Sequence, residues 1–146
     1  MRPVRWRASL LLGLVLVGGA ALRFYGISWD GGNWLHPDER QIYFLTIDLG
    51  WPSGLRQALL PDSPLNPGFF AYGSLPIYLL RGVTDLLALV WPALGDPDKL
   101  HLVGRPLAGA LDLGTVYLTY RLGTRKWLIE KFRGRGVGLL GAGLVA

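Results

Sequence analysis

The sequence predicts an all-α polytopic membrane protein, a fragment of a larger transmembrane bundle, and three observations predict it. Ala8–Leu22 is an apolar run without a charge. Residues 102–122 form a second apolar stretch, interrupted only by Arg105, Asp112 and the terminal Arg121. Apart from Arg23, the remaining charges fall in blocks of alternating sign around these runs. Residues 1–7 carry Arg2, Arg5 and Arg7 and no acid; residues 26–101 carry eight acids against Arg40, Arg56, Arg81 and Lys99; residues 121–135 carry six bases against Glu130. The blocks are therefore +3, −4 and +5 in chain order.

The composition excludes several other classes. Of 146 residues, 51% are hydrophobic and 17% charged, the reverse of a disordered chain. Zero cysteines exclude a disulfide scaffold and a thiolate metal site. A net charge of +5 invites nucleic acid, but the bases flank apolar runs, so they read as cytoplasmic anchors beside a lipid bilayer, with no nucleic-acid partner.

Each element follows from hydropathy and charge. Crossing ~30 Å of hydrocarbon takes about 20 residues. The first span is therefore read over 8–27, with Arg23 snorkelling and Phe24 and Tyr25 at the interface. Its rival is a cleaved signal peptide, with a basic start, an apolar centre and Gly18-Gly19-Ala20-Ala21; a second span favours a retained anchor. Residues 28–101 form an external loop carrying helices at about 37–50 and 75–94. The 75–94 segment is apolar enough to compete as a span, but Arg81 and Asp85 share a helical face, with Pro76 and Pro92 near the ends. A span there would also place the basic 121–135 stretch outside, so an amphipathic interfacial helix is expected. The second span is 102–122, a cytoplasmic basic loop covers 123–136, and 137–146 begins a third span cut off after ten residues. The amino terminus is then cytoplasmic, in a multi-pass protein of the plasma membrane.

Several motifs carry candidate chemistry. Gly136-Val-Gly138-Leu-Leu-Gly141 matches a dinucleotide fingerprint but lacks the preceding strand, and small residues on a helix-packing face explain it better. In His36-Pro37-Asp38-Glu39-Arg40, Pro37 suits the first helical position, and the two acids fall where the helix dipole favours anions. Taken alone, that is ordinary helix-start charge, with His36 a polar cap; the alternative is a proton acceptor beside a phosphate or metal, which two adjacent carboxylates also suit. Asn66–Leu80 places Phe69, Phe70, Tyr72 and Tyr78 among turn residues, as an interfacial aromatic belt would. Asp112 falls inside the second span, where an ionisable group marks a functional site or a structural pair, and Arg105, seven residues earlier, is its expected partner.

Together these residues resemble the amino-terminal region of the C-class, multi-pass glycosyltransferases that use polyprenyl-phosphate sugars, including protein O-mannosyltransferases (glycosyltransferase family 39) and lipid A aminoarabinose transferases. The resemblance rests on a first span, Asp38-Glu39 early in the external loop, a second juxtamembrane helix, and Arg105, Thr115-Val116, Tyr120 and Leu122-Gly123 in the next span. It implies that Asp38 is the general base for an acceptor hydroxyl and that Glu39 orients the acceptor or holds a divalent cation. Cations around the leaving phosphate would come from Arg40, Arg81 or Arg105, with His36 assisting. The family often has His-Pro-Pro-Leu or Glu-Lys-Pro-Pro-Leu where this chain reads Tyr72-Gly-Ser-Leu-Pro76, which weakens a metal site built on that motif. The expected function is thus transfer of a sugar from a polyprenyl-phosphate carrier to an acceptor outside the cytoplasm. The alternatives are a non-enzymatic membrane assembly protein and a transporter fragment with Arg105 and Asp112 on a polar path.

Overall fold

A computed structural model describes residues 3–124 and 137–146, and among these there are helices and turns but no strand. The basic residues of 125–136, with Gly136 of the glycine motif, and Arg2 lie outside the described residues. The chain divides into two compact units, one of residues 1–27 and 105–146, the other of residues 28–104.

The first unit contains α1 (Pro3–Phe24), most of α5 (His101–Gly123) and α6 (Val137–Val145). Leu12, Val116 and Ala142 form its buried centre, with Val15, Leu16, Tyr120 and Leu139 packed around them. Glycines let α6 approach α5 closely. A Cβ at Gly138 would lie 2.7 Å from the Tyr120 carbonyl oxygen, and one at Gly141 would lie 3.0 Å from the Thr119 methyl. Gly138 and Gly141 of the would-be nucleotide motif thus serve helix packing, as small residues do in membrane bundles. Elsewhere α1 exposes Leu10, Leu11, Leu14, Val17 and Leu22, so it is apolar around most of its surface.

Of the predicted spans, one described helix is both long and apolar enough to cross a membrane, Trp6–Phe24. It ends at Phe24 rather than residue 27, because the chain turns at Gly26 with φ +68°. Helix α5 has 23 residues, about 34 Å of rise, but Arg105, Asp112 and Arg121 lower its hydropathy. Pro106 also removes one backbone hydrogen bond near the helix start.

The second unit contains α2 (Pro37–Asp48), the short α3 (Leu55–Ala58), α4 (Leu75–Ala88) and two 3₁₀ turns, Pro92–Gly95 and Pro97–Lys99. Helix α2 stops two residues before the expected boundary, where Leu49 turns extended and Gly50 donates to the Pro64 carbonyl at 3.0 Å. Helix α4 is shorter than the expected 75–94: Trp91, preceding Pro92, leaves the helical region at φ −127° and ψ 85°. Fourteen residues rise about 21 Å, short of a hydrocarbon core of ~30 Å. Its inner face buries Ile77, Leu80 and Thr84 at helical spacing, while Leu75, Tyr78 and Leu86 stay exposed. Tyr43, Leu49, Leu100 and Val103 complete the core, and a Cβ at Gly104 would lie 2.9 Å from the Tyr43 hydroxyl oxygen.

Candidate functional site

The loop before α2 sets the position of Asp38. Asp30 is buried, and its carboxylate accepts from the Gly32 N–H at 3.1 Å and the Leu35 N–H at 3.2 Å. Gly31 and Gly32 adopt φ +64° and +82°, conformations that favour glycine, and His101 packs directly on Gly32. Trp34 follows at φ +51°, an unusual conformation for a bulky residue. Its indole meets Tyr43 and Phe44 edge to face, each at 5.6 Å between centroids. An aromatic wedge and a buried carboxylate therefore fix where the chain enters α2. Neither Asp30 nor Trp34 stands out in the sequence as positioning this site, apart from the turn signal of Asp30-Gly-Gly.

At the helix start, His36 is the residue before Pro37 and makes no side-chain cap bond. Asp38 and Glu39 occupy the first turn and diverge in their partners. Asp38 is exposed, and one of its oxygens, Oδ1, accepts a hydrogen bond from the Tyr72 hydroxyl at 3.1 Å. This bond and the negative charge of Asp38 raise the Tyr72 phenol above its ordinary 10.0, because ionising it would place two anions together. Glu39 accepts from the buried Tyr43 hydroxyl at 2.6 Å, one helical turn along. Tyr72, from the loop before α4, thus supplies a neutral donor to the aspartate.

The cationic candidates are distributed. Arg40 is exposed on α2. Arg81 donates from Nε to Asp85 at 2.9 Å and from Nη1 to the Thr46 carbonyl at 3.4 Å. Thr46 is eight residues beyond Asp38, about 12 Å along the helix axis. In the first unit, Arg105 donates to the Ile27 carbonyl. The partner of Asp112 is Arg23, not Arg105 as the seven-residue spacing suggests. Arg23 also donates to the Ala146 carbonyl at 2.6 Å and the Val145 carbonyl at 3.3 Å. An arginine from another helix reaches Asp112 from the side, while Arg105 satisfies the backbone after α1.

Among the described residues, no three histidine, aspartate or glutamate side chains converge. With Glu39 bound to Tyr43, this arrangement does not fit a divalent cation held by protein groups alone. What the site offers is an accessible carboxylate at a helix start, with a phenol holding one of its oxygens. Such a group can accept a proton from a hydroxyl brought within hydrogen-bond reach. No family model, curated protein or solved structure matches this chain.

Proposed function

We propose that this chain is part of a multi-pass plasma-membrane glycosyltransferase that moves a sugar from a polyprenyl-phosphate carrier to an acceptor hydroxyl outside the cytoplasm. The observation that carries the reading is the Asp38–Tyr72 pair: an exposed carboxylate at a helix start, oriented by a phenol from the 68–74 loop. In this reading Asp38 takes the proton of the acceptor hydroxyl as that oxygen attacks the anomeric carbon. The sugar–phosphate bond breaks on the opposite face, and the electron pair leaves with the lipid phosphate. The phosphate needs nearby positive charge as the bond breaks. Arg40, exposed on α2, is one candidate for that charge.

Three features support the membrane setting: the apolar α1, the exposed apolar side of α4, and the alternating charge blocks. The transporter alternative has less support, since Asp112 is paired with Arg23, which also donates to the Ala146 carbonyl. The reading is tested by incubating membranes containing the full-length protein with radiolabelled polyprenyl-phosphate hexoses and pentoses. Label transferred to lipid, glycan or protein above membranes lacking the protein supports it; no transfer from any donor by correctly inserted protein overturns it.

A further inference from the structure

The outward face of α4 carries no polar side chain. Successive residues turn by about 100° around a helix, so Leu75, Leu79, Gly82, Leu86 and Leu89 lie within about 40° of one direction. The buried Ile77, Leu80 and Thr84 lie opposite. Leu75, Leu86 and Leu89 are 73%, 65% and 80% exposed. A Cβ added at Gly82, midway along the face, would meet nothing within 4 Å. A continuous apolar face left this open marks a surface that meets something apolar.

The edges of this face have the chemistry of a membrane–water boundary. The charged pair of the helix, Arg81 and Asp85, stands on the flank and is closed on itself. Arg81 donates from Nε to Asp85 Oδ2 at 2.9 Å, and the Trp51 indole N–H donates to the same oxygen at 2.5 Å. On the same flank the Tyr78 hydroxyl donates to the Leu65 carbonyl at 2.9 Å. Residues 51–65 are thus held to α4 at both ends, and between those ends Leu55 and Leu59 are exposed. Trp51 and Trp91 are exposed as well, at the flank and just beyond the end of α4. Tryptophan and tyrosine, with an apolar body and one polar edge, are the residues of the lipid interface.

Two further observations select lipid as the occupant. From Phe24, the last residue of α1, to Ser28, the first of the second unit, the chain reaches at most about 14 Å. A unit that starts there stays beside any bilayer that α1 crosses. Helix α4 is too short to cross that bilayer itself, and its apolar face suits lying in the plane of the interface. Charge narrows the lipid class: residues 26–101 carry −4, so anionic headgroups offer no attraction. We infer that α4 lies flat in the extracytoplasmic interface of the bilayer, with Leu75, Leu79, Gly82, Leu86 and Leu89 against the acyl chains of neutral lipids. The inference rests on the membrane setting proposed above and gives it an orientation. Helix α2 packs against α4, whose buried face is opposite the lipid, so the helix of the candidate base stands about 8–10 Å to the water side.

The test uses the full-length protein in phosphatidylcholine bilayers, spin-labelled one site at a time at Leu75→Cys, Leu86→Cys and Leu89→Cys. Asp48→Cys, at an exposed position on α2, is the water-facing control, and this chain supplies no competing cysteine. Collision of each label with oxygen, which concentrates in hydrocarbon, is compared with collision with a water-soluble nickel chelate. Oxygen should dominate at the three α4 sites, at depths of about 5–10 Å, and nickel at the control. Adding phosphatidylglycerol should not deepen the labels, because charge does not hold the unit to the surface. Labels that enter the bilayer only with phosphatidylglycerol overturn the assignment to neutral lipid. Dominant nickel collision on α4 overturns the inference. So do low values for both reagents, with dipolar broadening if a second copy covers the face and without it if another part of the protein does. None of these readings involves Asp38. Lipid contact without sugar transfer would overturn the proposed function alone, and transfer with water-exposed labels would overturn the orientation alone.

Discussion

Asp112 is paired with Arg23 from another helix. The guanidinium that reaches it also donates to the Ala146, Val145 and Gly19 carbonyls, so one side chain joins α1, α5 and the end of α6. Substituting the two partners should therefore be unequal. Asp112→Ala removes one half-exposed ion pair and is expected to cost about 1 kcal/mol. Arg23→Ala removes that pair and three carbonyl contacts and should cost about 2–3 kcal/mol. Thermal or denaturant unfolding in micelles checks the order; equal losses would mean that the carbonyl contacts contribute nothing.

Tyr72 should titrate abnormally. Its folded value lies above 10.0, raised first by the hydrogen bond to Asp38 and then by the charge of that carboxylate. The contribution of the bond is complete below pH 10.0 and disappears as pH rises through the raised value. Tyrosine-labelled NMR should show one resonance with a high midpoint, assigned by its absence in Tyr72→Phe. In Asp38→Asn that midpoint should fall back toward 10.0. An unchanged midpoint would show that the two groups do not meet.

Helix α6 depends on a missing side chain. A Cβ at Gly138 would meet the backbone oxygen of Tyr120 at 2.7 Å, and backbone cannot swing away as a flexible side chain can. Gly138→Ala should thus destabilise the first unit by about 1–3 kcal/mol. Gly143→Ala, with nothing within 4 Å of the added atom, should be neutral or slightly stabilising. Parallel unfolding curves compare them.

The loop ahead of α2 should be equally sensitive. Gly32→Ala combines φ +82° with a Cβ 2.7 Å from the His101 ring, and is expected to cost about 2–3 kcal/mol. Asp30→Ala leaves the Gly32 and Leu35 N–H groups without their acceptor, at about 1–3 kcal/mol. Hydrogen exchange at Gly32 and Leu35 should rise in Asp30→Ala and stay near wild type in the exposed control Asp62→Ala.

Much of the helical order was legible in the sequence because it depends on local signals. Pro37 and the acids behind it mark the start of α2, Pro76 sits in the first turn of α4, and the uncharged 8–22 run makes α1. The end of α4 was misplaced because hydropathy continues through Trp91, while the backbone answers to the proline after it. Long-range partners were not legible. The spacing of Arg105 and Asp112 on one helix gives no information about an arginine from α1 entering from the side. Nor does a tyrosine 34 residues from Asp38 announce itself, since only the loop fold brings the two together.

The most direct measurement is the rate of sugar transfer by full-length Asp38→Asn relative to wild type, at equal membrane expression and with Glu39→Gln in parallel. Asparagine keeps the size of the side chain and can still accept from Tyr72, so the fold should stand while the proton acceptor is lost. A fall of about 10²–10⁴ in rate is expected for Asp38→Asn. A smaller fall is expected for Glu39→Gln, whose partner Tyr43 supports the helix. Undiminished transfer by Asp38→Asn would contradict the assignment of Asp38 as the base.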